Sequence, residues 1–121
     1  MPDASRPTAS QTSPQTRELH WSPAEKAIAR KAFERALAQE LAQTIQETKQ
    51  RAAKVAQPDD LWSLERYLTR CRNQIDEKYD YRYSVLPIVF GALIREGRLS
   101  LADLEGLGED KLRPIRAMVA L

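Results

Sequence analysis

The uninterrupted stretch at residues 23–56, PAEKAIARKAFERALAQELAQTIQETKQRAAKVA, decides the fold. After Pro23 it contains neither glycine nor proline, and it is dominated by Ala, Leu, Gln, Glu, Lys and Arg, which favour helices. The Ser22 hydroxyl can cap the amide of Glu25, and the Glu25 carboxylate can reach back to Ser22. The stretch therefore predicts a single helix of about 34 residues, roughly 50 Å long.

Apolar residues recur along this helix mostly at steps of three and four. They are Ile28, Ala32 or Phe33, Leu37, Leu41, Ile45, Ala52 and Val55. A helix of this length extends beyond any core that the remaining residues could build, so its apolar stripe needs a second helix as a partner. A second copy of the chain would supply one, which predicts a homodimer. Folding back against the next helix of the same monomer explains the pattern equally well.

Gln57-Pro58 interrupts the first helix, and Asp59-Asp60 can cap a second helix that is predicted to run to about Tyr79. Its predicted buried face consists of Leu61, Leu64, Leu68, Cys71, Ile75 and Tyr79. Its other face carries Trp62, Arg66, Arg70 and Arg72, with Glu65 and Asp76 nearby. Tryptophan and arginine are enriched at binding hot spots, although Trp62 could equally close the core beside the turn.

The C-terminal part is predicted to form a compact helical head. Ser84 can cap a helix through the apolar segment Val85 to Ile94, Gly97 can end it, and Ser100 can open a short helix. A last helix is predicted from about Glu109.

The predicted fold is thus all-α, with one helical domain at residues 21–121 after a disordered Ser/Thr/Pro-rich tail at 1–20. Two long helices form an extended dimerisation stalk at about 22–80, and the head follows at about 81–121.

Composition and residue types exclude several function classes. His20 is the only histidine and Cys71 the only cysteine, whereas a metal site needs several such ligands close together. No set of residues forms a recognisable catalytic site. We therefore expect no enzymatic activity, cofactor or metal. No apolar run is long enough to enter a membrane, and no leader pattern is present, which predicts a cytoplasmic protein without membrane insertion.

Nucleic acid is a possible class of partner that the charge of the chain disfavours. The net charge is only +2, which is far from a dense basic field. The cations that could contribute to such binding are Arg30, Lys31, Arg35, Arg66, Arg70 and Arg72. We expect no nucleic-acid binding, and a salt titration would test this expectation.

The second helix and its continuation carry a sequence pattern that resembles the fluorescence recovery protein family of cyanobacteria. The pattern is Asp59-Asp60-Leu61-Trp62-x-Leu64, Leu68, Arg72, Ile75-Asp76-x-Lys78-Tyr79-Asp80-x-Arg82-x-Ser84-Val85. The likeness continues through Val89-Phe90, Leu93, Glu96-Gly97 and residues 111–121, and begins at Trp21-Ser22. It covers about residues 21–121, that is, the whole chain outside the tail.

The resemblance implies a helical homodimer without covalent chemistry. Such a protein binds the photoactivated orange carotenoid protein, largely through that protein's C-terminal domain, and speeds its return to the inactive orange form. This ends the photoprotective quenching of phycobilisomes, and it would place the chain in the cytoplasm or at the thylakoid surface. The residues expected at the dimer interface or partner surface are Trp62, Glu65, Arg66, Tyr67, Arg72, Asp76, Ile88 and Phe90.

Two positions depart from the family. Arg66 stands where members that act on the carotenoid protein carry an acidic residue, one turn after the tryptophan, and Pro114 stands where the family tends to have a basic one. A reversed charge inside a docking patch can remove an attraction and add a repulsion. A divergent helical adaptor with another protein partner is therefore the alternative hypothesis.

Overall fold

The computed structural model describes residues 19–121, which are helical and contain no strand. Four α-helices follow one another: α1 at Pro23–Ala53, α2 at Pro58–Lys78, α3 at Leu86–Arg95 and α4 at Glu109–Val119. A short 3₁₀ helix, Leu101–Leu104, lies between the last two. The all-α prediction is confirmed. Residues 1–18 of the predicted tail lie outside the described residues.

Side chains of the first turn cap the starts of α1 and α2. The Glu25 amide donates to Ser22 Oγ at 3.1 Å, and the Ser22 amide donates to Glu25 Oε1 at 2.9 Å. At the turn, the Asp60 carboxylate accepts from the amides of Ala56 and Gln57 at 3.1 and 3.0 Å. These carboxylates satisfy amides that have no partner inside a helix, which fixes where α1 and α2 begin.

The start of α3 differs from the prediction. No side-chain cap is present: Val85 precedes the helix and Ser84 makes no capping hydrogen bond, so the predicted cap was wrong. Pro87 is tolerated because it lies in the first turn, where a helix does not use its amide hydrogens. The stop at Gly97 is confirmed by its positive φ of 79°, which glycine adopts without steric cost.

The core lies in the head, and α1 contributes to it. The buried apolar residues are Trp21, Ala29, Ala32, Phe33, Ala36, Leu86, Val89, Phe90, Leu93, Leu99, Leu104, Leu107 and Ile115. The first half of α1 thus packs with α3, the 3₁₀ helix and α4. A side chain at Gly91 would collide with Met118, so this glycine allows α3 and α4 to approach closely. The second half of α1 extends away from this core together with α2.

A buried ion pair ties the start of α1 to α4. Lys111 Nζ lies 2.9 Å from Glu25 Oε1, and the Gly108 amide donates to Glu25 Oε2 at 2.7 Å. Lys111 also donates to the His20 carbonyl and lies 3.1 Å from Asp110. Burial lowers the pKa of Lys111, but Glu25 and Asp110 outweigh it and raise that pKa above its ordinary value.

This pair predicts a specific acid sensitivity. Burial raises the pKa of Glu25, but hydrogen bonds from Ser22, Gly108 and Lys111 outweigh it and lower the pKa from 4.5 to about 2. A depressed pKa adds stability above the unfolded-state value, and this stability is lost as the pH falls through the folded-state value. We expect the unfolding free energy of Glu25→Gln to fall less than that of the wild type between about pH 5 and 2, in urea titrations. Parallel pH profiles would contradict this assignment.

Candidate partner-binding surface

The second half of α1 holds α2 through one buried aromatic side chain. Tyr67 is 7% exposed, and the Arg51 guanidinium lies 4.0 Å from the centre of its ring. Glu47 in turn lies 3.5 Å from Arg51. Because cations are attracted to the faces of aromatic rings, this contact orients α2 on α1. Leu61 and Leu68, which the sequence assigned to the buried face, are exposed in the monomer, so that part of the prediction was wrong.

A half-buried carboxylate joins the end of α2 to the head. Glu40 on α1 accepts hydrogen bonds from Lys78 at 2.8 Å and from the Tyr79 hydroxyl at 2.8 Å, and it lies 3.0 Å from Arg98. Lys78 also binds Glu96 at 2.7 Å. Burial raises the pKa of Glu40, but its hydrogen bonds with Lys78 and Tyr79 outweigh that and lower it below its ordinary value. Charge-assisted contacts of this kind fix the hairpin of α1 and α2 relative to the head.

The outer side of α2 carries a shallow, open and largely apolar cleft between its own side chains. It is lined by Leu61, Trp62, Leu64, Glu65, Leu68, Thr69 and Arg72. The indole of Trp62 is 56% exposed, although tryptophan is usually well covered. Glu65 accepts from the Thr69 hydroxyl at 2.9 Å, which turns the carboxylate along the helix. Within residues 19–121, Arg72 has no acidic partner.

The residues expected at an interface fall into two groups. Trp62, Glu65, Arg66, Arg72, Asp76 and Ile88 are exposed, and the cleft brings Trp62, Glu65 and Arg72 together. Ile88 is exposed on the head, away from the cleft lining. Tyr67 and Phe90 are buried inside the monomer, and Phe90 is 0% exposed. For all eight residues, a part in partner binding or in the dimer interface remains a prediction.

Asp76 and Arg72 lie four residues apart on α2 but form no ion pair with each other. Arg82, in the connection after α2, binds Asp80 at 2.6 Å. The cleft also contains Leu61, Leu64 and Leu68, which the sequence analysis assigned to the buried face of α2. The steps of three and four residues that predict this face also bring these three leucines together on one side of the helix.

Other kinds of site receive no support from the described part of the chain. Residues 19–121 contain no group of three or more His, Cys, Asp or Glu side chains that could hold a metal ion. None of their helices combines the length and apolar character needed to span a bilayer. The arrangement on α2 is that of an exposed aromatic anchor beside guanidinium groups, which suits protein binding.

Comparison with known proteins agrees with this architecture. Residues 21–119 match the family model described as photoprotection regulator fluorescence recovery protein. The chain is 38% identical over 107 residues to the fluorescence recovery protein of Synechocystis sp., covering 88% of this chain and 98% of that protein.

Solved structures show the same likeness. The Fremyella diplosiphon fluorescence recovery protein superposes with a TM-score of 0.80 at 39% identity, covering 84% of this chain and 100% of that one. The Synechocystis sp. PCC 6803 structure gives a TM-score of 0.79 at 37% identity with the same coverage. Both the sequence likeness and the shared helical fold extend over nearly the whole of the relatives. The chain therefore belongs to the fluorescence recovery protein family of photoprotection regulators.

Proposed function

We propose that this chain binds the photoactivated orange carotenoid protein, largely through that protein's C-terminal domain, and accelerates its return to the inactive orange form. The observation that carries the proposal is the exposed Trp62 beside Arg72 in the cleft on α2. A large flat ring loses little conformational entropy on docking, and an arginine without an internal acidic partner is available for a carboxylate. Family membership supports a role in fluorescence recovery and so in ending phycobilisome quenching.

We also propose that the chain acts as a homodimer. Leu41 and Ile45 on α1 are large aliphatic side chains that remain exposed in the monomer and lie outside the cleft on α2. A hairpin of two helices cannot cover such residues on its own, whereas a second hairpin can cover them in a helical bundle. We further propose that the protein works in the cytoplasm or at the thylakoid surface, where the proposed partner acts.

The proposed action requires no covalent step. A binding protein speeds a conformational return when it holds the arrangement on the way to the orange form more tightly than the red form. The cleft on α2 offers apolar contact through Trp62 and charge-assisted contact through Arg72. Both kinds of contact depend on the relative position of partner groups, so they can favour one arrangement over another.

The proposal is tested by mixing the protein with a photoactivated carotenoid protein. Light scattering during size-exclusion chromatography reports the complex and the oligomeric state, and absorbance follows the recovery from red to orange. We expect a dimer that forms a complex and shortens the recovery time at least about tenfold. A dimer that neither binds nor accelerates recovery would favour the alternative hypothesis of an adaptor for another protein.

A further inference from the structure

Three tyrosines in the connection between α2 and α3 lie on one side of the chain. Tyr79 and Tyr81 both meet the Phe33 ring edge-on, with ring centres 5.5 and 4.8 Å away. The Tyr83 ring continues the row at 5.5 Å from that of Tyr81. Residues two positions apart share a side in an extended backbone. Residues 79–83, called the tyrosine segment below, therefore run along α1 like a strand.

The main-chain amides of the tyrosine segment form a free edge. Within residues 19–121, the amides of Asp80, Tyr81 and Tyr83 donate to no main-chain acceptor, whereas the Tyr79 amide still donates to the Ile75 carbonyl at 2.9 Å. Because the tyrosine rings pack on α1, another chain can approach this segment only along its edge. An extended segment with free amides is a template for a second strand.

Two buried side-chain donors beside this segment also lack an acceptor. Trp21 is 4% exposed, and its indole Nε1 has no hydrogen-bond partner within residues 19–121. The buried hydroxyl of Tyr81 has none there either. The rings of Trp21 and Tyr83 are 5.3 Å apart, so both donors belong to the same side of the head. Since buried polar groups are almost always hydrogen-bonded, this side is short of acceptors.

The residues that precede Leu19 are attached to the chain at this edge. One open depression is lined by Leu19, His20, Trp21, Lys26 and Tyr83. At about 3.3 Å per residue, residues 12–18 can extend over about 23 Å, which exceeds the roughly 16 Å of the tyrosine segment. A tether this short gives a local concentration in the mM range, so weak contacts are enough to hold the segment.

Residues 12–18 offer the groups that this edge lacks. Their sequence, TSPQTRE, provides a row of main-chain carbonyls, and Pro14 is compatible with an edge strand, where its missing amide can face solvent. Glu18 directly precedes the depression, where Lys26 has no carboxylate within 4.0 Å among residues 19–121. The polar composition predicts disorder in isolation, but main-chain pairing needs no apolar side chains.

We infer that residues 12–18 pair in parallel with the tyrosine segment of the same chain and cover the depression beside Trp21. The direction follows from the attachment at Leu19, because the paired residues then run from Tyr79 towards Tyr83 in the same sense as the segment. Their carbonyls accept from the free amides, and the Glu18 carboxylate lies near the Lys26 ammonium. The inference concerns the head alone and does not depend on the partner proposed above.

The first test is amide hydrogen exchange of the full-length protein, followed by NMR. The variant Gln15→Pro/Thr16→Pro removes two consecutive amide donors, one of which faces the tyrosine segment in either register. We expect at least one amide among Asp80, Tyr81 and Tyr83 to exchange at least about tenfold faster in this variant than in the wild type. The matched control Thr8→Pro/Ala9→Pro, outside residues 12–18, should exchange within about twofold of the wild type. Equal exchange in the first variant and the wild type, or equal acceleration in both variants, would overturn the inference.

The second test distinguishes the chain's own tail from that of a second copy. A nitroxide is attached at Ser10→Cys in the Cys71→Ala background, and the amide signals of the tyrosine segment are recorded. We expect the label to broaden these signals, and Gln15→Pro/Thr16→Pro to restore them. Isotope-labelled, spin-labelled protein is then mixed with an excess of unlabelled protein, and the subunits are allowed to exchange. Broadening that persists supports pairing within one chain, whereas broadening that disappears would assign the tail to the second copy and contradict the inference.

Discussion

Replacing Lys111 by methionine is expected to destabilise the head by about 3–5 kcal/mol, the usual cost of removing one partner from a buried ion pair. Methionine keeps the apolar stem but leaves the Glu25 carboxylate buried without its cation. It also removes the donor to the His20 carbonyl, which holds the entry into α1. Urea unfolding followed by circular dichroism measures the loss. Because α1 and α4 share one core, the loss should appear in a single transition.

The control for this variant is Arg116→Met on the same helix. Arg116 pairs with Glu109 at 2.5 Å, but both side chains are largely exposed, so removing this pair should cost at most about 1 kcal/mol. A double-mutant cycle with Glu25→Gln separates the coupling between the two buried groups from their other contacts. If Lys111→Met unfolds within about 1 kcal/mol of the wild type, the pair does not hold α4 to α1.

Local sequence patterns predicted the helices, whereas only the structure shows the contacts between the helices. The capping box of Ser22 and Glu25 spans three residues, so the sequence identifies it directly. The same Glu25 carboxylate also binds Lys111, which is 86 positions away, and no local pattern predicts that contact. A lysine that directly follows Glu109 and Asp110 is typical of a solvated helix face. Only the packing of α4 against the start of α1 makes it a buried ion.

Local patterns are equally insufficient to predict which face of α2 packs against α1. Steps of three and four residues predict an apolar stripe along α2. Where two such stripes overlap, the steps do not show which of them faces α1. The Tyr67 ring occupies the inner position because Arg51 stacks on it, and this turns Leu61 and Leu68 outward. The sequence left open whether Trp62 closes the core or faces outward, and its exposure rules out the first of these. Whether an arginine on α2 has an acidic partner depends on distances that the sequence does not contain.

Truncating Trp62 to alanine is expected to weaken binding of the photoactivated carotenoid protein by roughly 30-fold or more, which corresponds to the 2 kcal/mol expected of a hot spot. Since the ring is 56% exposed, the change removes little packing from the monomer, and its unfolding free energy should change by less than about 1 kcal/mol. Leu101→Ala, which truncates an exposed side chain on the 3₁₀ helix of the head, is the matched control and should bind normally. Fluorescence or calorimetric titration measures both affinities, and light scattering shows whether each variant stays dimeric. Unchanged binding by Trp62→Ala would remove the cleft on α2 from the partner surface, whereas dissociation into monomers would assign the ring to the dimer interface.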